Sequence, residues 1–277
     1  VLRPETPPTP PAVALRVGLI GHGAIGRRVA DELRRGAVAG AQLTGVLTRT
    51  ASRAPEAVPD IAALIAASDL VVEAAGHGAL QMWGAPVLDA GIDLLVVSTG
   101  ALADPDTSAR LRAAGTGRLL ICPGAIGGLD LLRSVRRSGP GVTVRLTSTK
   151  RPAALLQPWM PAEQIRGLRR LRPGDPPEVL HDGSAVDAAS RFPQNANVAA
   201  TLALAADDWD AVTVRLVADA GVPATVHLIE IDGPSGSYRL EFRNHPSPDN
   251  PSSSGLVAFS VIRSISDLTP SGSPAFL

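Results

Sequence analysis

"LRVGLIGHGAIGRRVADEL", Leu15 to Leu33, places three glycines in the spacing G-x-G-x-x-G between an apolar run and an amphipathic one. Leu15 to Ile20 has the length and apolar density of a buried strand. Beyond it, Ile25, Val29 and Leu33 recur at helical spacing. In a strand–turn–helix setting each glycine has its own reason. Gly21 permits the tight turn, Gly23 lets a pyrophosphate approach the backbone, and Gly26 lets the helix pack on the strand. The helix N-terminus adds unpaired N–H groups and the positive end of a dipole. The stretch predicts a dinucleotide site built from Gly21, His22, Gly23, Ala24, Ile25 and Gly26.

The pattern continues outward. "QLTGVLT", "DLVVEAAG", "DLLVVSTG" and "RLLIC" read as short apolar strands. "EAVPDIAALIAA", "ALQMWGAPVLDAG" and "PDTSARLRAAG" read as the helices between them. Such alternation with short loops predicts an α/β fold, a Rossmann-type parallel sheet with helices on both faces. Near Ile126 the regularity stops. "VTVRLTSTK", "DAVTVRLVAD", "ATVHLIEIDG" and "GSYRLEFRN" alternate apolar and polar residues, as half-exposed antiparallel strands do. Helical stretches around "SAVDAASRF" and "NVAATLALAA" complete a second unit of α+β type. Leu256, Phe259, Ile262, Ile265 and Leu268 then mark a C-terminal helix expected to return to the first domain. The expected division is a Pro-rich flexible arm (1–14), a dinucleotide-binding domain (15–125 plus about 253–268) and an α+β catalytic domain (126–252).

Composition narrows the function classes. The 277 residues carry 26 basic and 26 acidic side chains, a balance that argues against nucleic acid or an anionic membrane as partner. The lone cysteine, Cys122, excludes an intrachain disulfide framework and a multi-cysteine metal site, and reads as a small buried hydrophobe. No metal spacing stands out. With no apolar run of membrane-spanning length, the expectation is a cytoplasmic protein. Lys150 is the chain's one lysine among many arginines.

At the end of the second strand, where an NAD-specific site would carry Asp or Glu, the chain reads Thr48-Arg49-Thr50, with Arg53 close behind. Arginine there can pair with a 2′-phosphate, so NADP is favoured or accepted alongside NAD. A solvent-exposed Arg49 with no such role fits equally well. A second "GAIG", Gly124 to Gly127 in "CPGAIGGLD", follows the fifth strand. Its flanks differ from those of the first copy, so it is no repeat. It reads as a second loop converging on the same ligand, or as a Gly-rich hinge.

"GAIGGLD" (Gly124 to Asp130), "FPQNANVAAT" (Phe192 to Thr201), "VHLIEIDGPSG" (Val226 to Gly236) and "NHPSPDNP" (Asn244 to Pro251), in this order behind the glycine fingerprint, resemble the L-aspartate dehydrogenase family. The resemblance runs from about Leu15 to Leu268. It implies NAD(P)-dependent oxidation of L-aspartate to iminoaspartate, which yields oxaloacetate and ammonia, with reductive amination as the reverse, and it implies a homodimer. It makes His227 the catalytic histidine, activating a water or moving a proton, and Ala125 and Asn197 the nicotinamide-side contacts. Lys150 matches a basic position suited to a substrate carboxylate. By residue chemistry alone His227 reads as a satisfied strand histidine more readily than as a catalyst, and Asn197 also reads as an N-cap for "VAATLALAA". Two positions depart from the family pattern. Thr225 stands where Asn is usual, and Ser252-Ser253 where Lys-Thr is usual. They motivate two other readings: an NADP-dependent amino-acid dehydrogenase or imine reductase for a different substrate, and a non-catalytic NAD(P)-binding sensor.

Overall fold

The computed structural model describes residues 14–49, 54–193, 195–248 and 250–269, with the backbone alone at 251–253. Residues 1–13, Thr50 and Arg53 lie outside the described residues, as do the side chains of Ser252 and Ser253. The first five strands, β1 (Leu15–Ile20), β2 (Ala41–Leu47), β3 (Leu70–Glu73), β4 (Asp93–Val96) and β5 (Leu119–Ile121), form one parallel sheet in the order β2-β1-β3-β4-β5. Their all-apolar character follows from burial on both faces. One face buries Val17, Leu19, Val72 and Leu95 under α1 (Ala24–Arg34) and α9 (Leu256–Asp267). The other buries Ile20, Val71, Leu94 and Val96 under α2 (Ile61–Ala66), α3 (His77–Asp89) and α4 (Pro105–Ala113). Helix α9 returns from the far end of the chain to lay Ala258, Val261 and Ile265 against Val29 and Leu33 of α1. Helix α2 is shorter than its apolar pattern suggests, because Asp60 caps it at the Ala63 amide and Pro59 precedes the cap.

Strand order reverses between β1 and β3, and the turns after β1, β3, β4 and β5 gather at the carboxyl ends of the strands. Such a switch point is where parallel sheets bind ligands.

After α5 (Leu129–Arg137) comes a second sheet ordered β10-β9-β6-β8-β7. Its strands are β6 (Thr143–Lys150), β7 (Glu178–Ser184), β8 (Val212–Ala218), β9 (Thr225–Gly233) and β10 (Gly236–Asn244). Helices α5, α7 (Ala185–Arg191) and α8 (Asn197–Ala206) cover one face, over Leu146, Val214, Leu216, Ile229 and Phe192. Two features differ from the alternating pattern. The β6–β8 pair is parallel, since some 60 residues with three α-helices and strand β7 among them separate the two and bring β8 back in the same direction. Helix α6 (Ala162–Arg170) and strand β7 fill the proline-rich interval 151–184, where no clean periodicity shows. A small hairpin, β11 (Pro246–Ser247) with β12 (Asn250–Ser254), leads into α9.

Candidate active site

The phosphate turn has the geometry its glycines require. Gly21 has φ +106°, and a Cβ on it would meet the Ala74 carbonyl at 2.8 Å. A Cβ on Gly26 would lie 2.1 Å from the Gly21 carbonyl oxygen. At Gly23 a Cβ would meet nothing within 4 Å, so the space over it is open. Gly23 also starts α1 without any side-chain cap, leaving the first amides of the helix free for an anion. Both ring nitrogens of His22 are buried and lack a hydrogen-bond partner among the described residues. Burial, then Arg34 and Arg27, lower the pKa of His22, which keeps it neutral. Open space over Gly23, free helix amides and an orphaned imidazole fit a dinucleotide. A cavity of 570 Å³ borders this turn, lined by Ala24, Ile25 and Arg28 on one side and by Arg243, His245 and Phe259 on the other. Arg49 lies exposed past the end of β2.

Glu73, which ends β3, is wholly buried. Its carboxylate accepts from the amides of Ala75 (2.7 Å), Gly76 (2.9 Å) and Ser98 (3.1 Å) and from Ser98 Oγ (3.0 Å). Burial raises its pKa against the pull of these four donors. One side chain thus fixes the turns after β3 and β4 together.

The helical turn Thr99–Ala103 then meets α8. Asn197 Oδ1 accepts from the Gly100 amide at 2.9 Å, and Thr99 Oγ1 donates to the Asn197 carbonyl at 2.9 Å. Asn197 is therefore not the N-cap of α8; Ala196 holds that place, without a side-chain bond. The Asn197 side chain instead joins the two sheets' layers beside His77, whose ring packs where a Gly100 Cβ would stand. Ala125 is held from the other side. Its carbonyl accepts from the buried Asn244 Nδ2 at 2.8 Å, which anchors the second glycine loop to the end of β10.

His227 and Lys150 come together through register. Ser148 of β6 is the cross-strand partner of His227 on β9, and Lys150 lies two residues on, on the same face. Ser148 Oγ is 2.8 Å from His227 Nδ1, and Lys150 Nζ donates to Asn195 Oδ1 at 2.7 Å. Asn195 Nδ2 is spent on the Ala154 carbonyl, so its oxygen faces the ammonium. All four side chains are buried. Burial lowers Lys150 to about 8, and burial together with the Lys150 charge lowers His227 to about 3. At neutral pH the pair is a buried ammonium beside a neutral imidazole. Among the described residues no carboxylate pairs with that ammonium.

Among the described residues singled out in the sequence, the glycine turn, Ala125, Asn197, Lys150 and His227 lie at the switch point or on the β6–β9 face beyond it, while Arg49 is exposed past the end of β2. Ser148, Asn195, Asn244 and Glu73 were not singled out. Ser148 had a signal in its two-residue spacing from Lys150, and Asn195 and Asn244 sit inside quoted motifs without any role of their own. Among the described residues no group of three His, Cys, Asp or Glu side chains is placed to hold a metal ion, and no helix is long and apolar enough to cross a membrane.

Two family models match segments that together span most of the chain. Residues 130–268 match the model of the aspartate dehydrogenase C-terminal family, and residues 21–117 that of the homoserine dehydrogenase NAD-binding domain. An L-aspartate dehydrogenase of Ruegeria pomeroyi is 39% identical over 95% of both chains. One of Pseudomonas aeruginosa is 41% identical over 91% of this chain and 96% of its own. The crystal structure of aspartate dehydrogenase from Thermotoga maritima superposes with a TM-score of 0.71 at 24% identity, covering 95% of this chain and 99% of that one. By sequence along nearly its whole length and by the fold that sequence adopts, the chain belongs to the aspartate dehydrogenase family.

Proposed function

We propose that the protein is an NAD(P)-dependent L-aspartate dehydrogenase, interconverting L-aspartate with iminoaspartate, and so with oxaloacetate and ammonia. The observation that carries this is Lys150, a buried cation without a carboxylate partner among the described residues, two positions along one sheet face from the residue opposite His227. Burying an unpaired charge is costly, and an anionic substrate offsets that cost. The relatives named L-aspartate dehydrogenase, matched over 91–95% of the chain, support the dicarboxylate.

The chain's own groups divide the task. Gly21 to Gly26 and the free amides of α1 hold the pyrophosphate, with NADP accepted as well as NAD. The turns fixed by Glu73, the Ala125 loop and Asn197 position the nicotinamide end. A nicotinamide cofactor, when bound, supplies hydride acceptance from Cα or donation to it. Lys150 binds a substrate carboxylate, and His227 contacts the group that changes at Cα. Holding the reacting carbon in one place inside a closed cleft supplies most of the acceleration. We assign residues 15–125 with about 253–268 to cofactor binding and 126–252 to the substrate.

Thr225 favours one second reading. It stands on the His227 face opposite Asn244, where Asn is usual in the family, and fits the same chemistry on another amino or oxo acid. We also propose a cytoplasmic homodimer joined through the open face of the second sheet, where Val226 and Leu228 are only half-buried. The test of function is consumption of NADPH and of NADH with oxaloacetate plus ammonia, in the wild type and in His227→Ala. Turnover that collapses in the variant while cofactor binding persists is the expected result. Cofactor binding with no turnover in the wild type would overturn aspartate as the substrate.

A further inference from the structure

We propose that Ser148 is a positioning residue that fixes His227 as its Nε2–H tautomer, so that His227 meets the substrate as a neutral hydrogen-bond donor and not as a base. The inference deepens the reading of His227 given above and rests on its being at the substrate site.

The argument is one of hydrogen-bond satisfaction. Ser148 is fully buried, and its hydroxyl has a single partner among the described residues, His227 Nδ1 at 2.8 Å. A hydroxyl carries one proton to donate, and buried donors are almost always paired. If Nδ1 carried the ring proton, Ser148 would accept it and its own O–H would have no acceptor among the described residues. If Ser148 donates to the Nδ1 lone pair, both groups are satisfied. The ring proton then sits on Nε2, because the bond made at one nitrogen decides the state of the other. Nε2 itself has no hydrogen-bond partner among the described residues, so its N–H is available to a ligand.

The electrostatics agree. Burial and the neighbouring Lys150 ammonium disfavour the imidazolium, which leaves the neutral ring as the working form. Lys150 is the charged group that bears on the ring, and it comes from the same strand as Ser148. A neutral imidazole N–H can polarise a substrate oxygen without transferring its proton, as in triosephosphate isomerase, where a histidine of lowered pKa acts in this way. The water-activating role that the resemblance suggests would need a lone pair at Nε2, the position the Ser148 contact protonates.

The test is 15N NMR of the full chain labelled at histidine, at neutral pH, with the His227 signals assigned by their loss in His227→Gln. The protonated and unprotonated nitrogens of a neutral imidazole resonate far apart, so the spectrum reads the tautomer directly. We expect Nε2 protonated and Nδ1 unprotonated in the wild type. We expect a mixed or inverted pattern in Ser148→Ala and recovery of the wild-type pattern in Ser148→Thr, which keeps the hydroxyl. In parallel, kcat with oxaloacetate and ammonia should fall about tenfold in Ser148→Ala, the worth of one hydrogen bond, with the KM for NADPH unchanged. Protonated Nδ1 in the wild type, or an unaltered tautomer in Ser148→Ala, would overturn the proposal. Should Ser148→Ala fail to fold, the wild-type and Ser148→Thr spectra decide. The spectrum needs no substrate. A protein inactive on oxaloacetate that shows the Nε2–H form therefore refutes the functional reading alone, and an active one that shows Nδ1–H refutes this one alone.

Discussion

Replacing Lys150 by methionine keeps most of the side-chain volume and removes the buried charge. The depression of Lys150 from 10.5 to about 8 corresponds to about 3 kcal/mol by which the folded state disfavours the ammonium. Against this, Asn195 Oδ1 loses its donor, which costs about 1 kcal/mol. Lys150→Met should therefore be more stable than the wild type at pH 7 by about 2 kcal/mol, a rise in Tm of roughly 4 °C. The pH dependence has a definite sign. The folded pKa lies below the unfolded one, so between about 8 and 10.5 the unfolded chain binds more protons and wild-type stability rises with pH. The advantage of the variant should shrink through that window and turn into a deficit of about 1 kcal/mol above it, where only the lost donor to Asn195 remains. Its KM for the dicarboxylate should meanwhile rise by about 100-fold, the worth of a buried charge-assisted contact. Calorimetry at pH 7 and at pH 10.5, with steady-state kinetics on the same samples, measures all three. A variant that melts below the wild type at pH 7, or whose advantage is the same at both pH values, refutes the reasoning and makes Lys150 a structural anchor.

Four further substitutions separate the parts of the site. Gly23→Ala should fold with an unchanged Tm, since its Cβ meets nothing, yet bind NADPH at least tenfold more weakly; Gly26→Ala, with its Cβ 2.1 Å from the Gly21 carbonyl, should lose both stability and binding. Equal behaviour of the two in calorimetric titration and thermal unfolding would contradict the assigned geometry. Asn244→Ala leaves the Ala125 carbonyl without its donor, and should cost about 1–3 kcal/mol in urea unfolding while raising the Kd for NADPH; an unchanged Kd would separate the loop from the cofactor. Glu73→Gln turns an acceptor toward four donors into a partial donor. It should weaken NADPH binding about tenfold with little change in the KM for oxaloacetate, and a change confined to the oxo acid would show that the β3 and β4 turns face the substrate instead.

Much of the first domain was legible because its information is local. A strand, a turn that demands φ +106° at Gly21 and a helix face at Val29 and Leu33 all fit within twenty residues, so periodicity and glycine spacing suffice. The C-terminal helix was legible for the same reason, although its docking partner lies at the other end of the chain. The interval from Arg151 to Ser184 was not, since its prolines interrupt any period and β7 is an edge strand whose Val179 is exposed. The parallel pairing of β6 with β8 was also hidden, because alternation records which face is buried and not which direction a neighbour runs.

The residues that complete the site were withheld more deeply. Ser148 meets His227 across 79 positions of sequence, Lys150 meets Asn195 across 45, and Asn244 meets Ala125 across 119. A serine or an asparagine carries the same local signal whether it caps a turn or serves a distant imidazole. By itself the sequence determined that a dinucleotide turn opens the chain, that a second, alternating sheet follows it, and that a histidine and a lysine lie on that sheet. Tertiary structure decided that strand register sets serine opposite histidine, that burial strips the lysine of counter-charge, and that one carboxylate ties two turns together. Hydrogen bonds and desolvation depend on which surfaces meet, and only the folded chain brings those surfaces together.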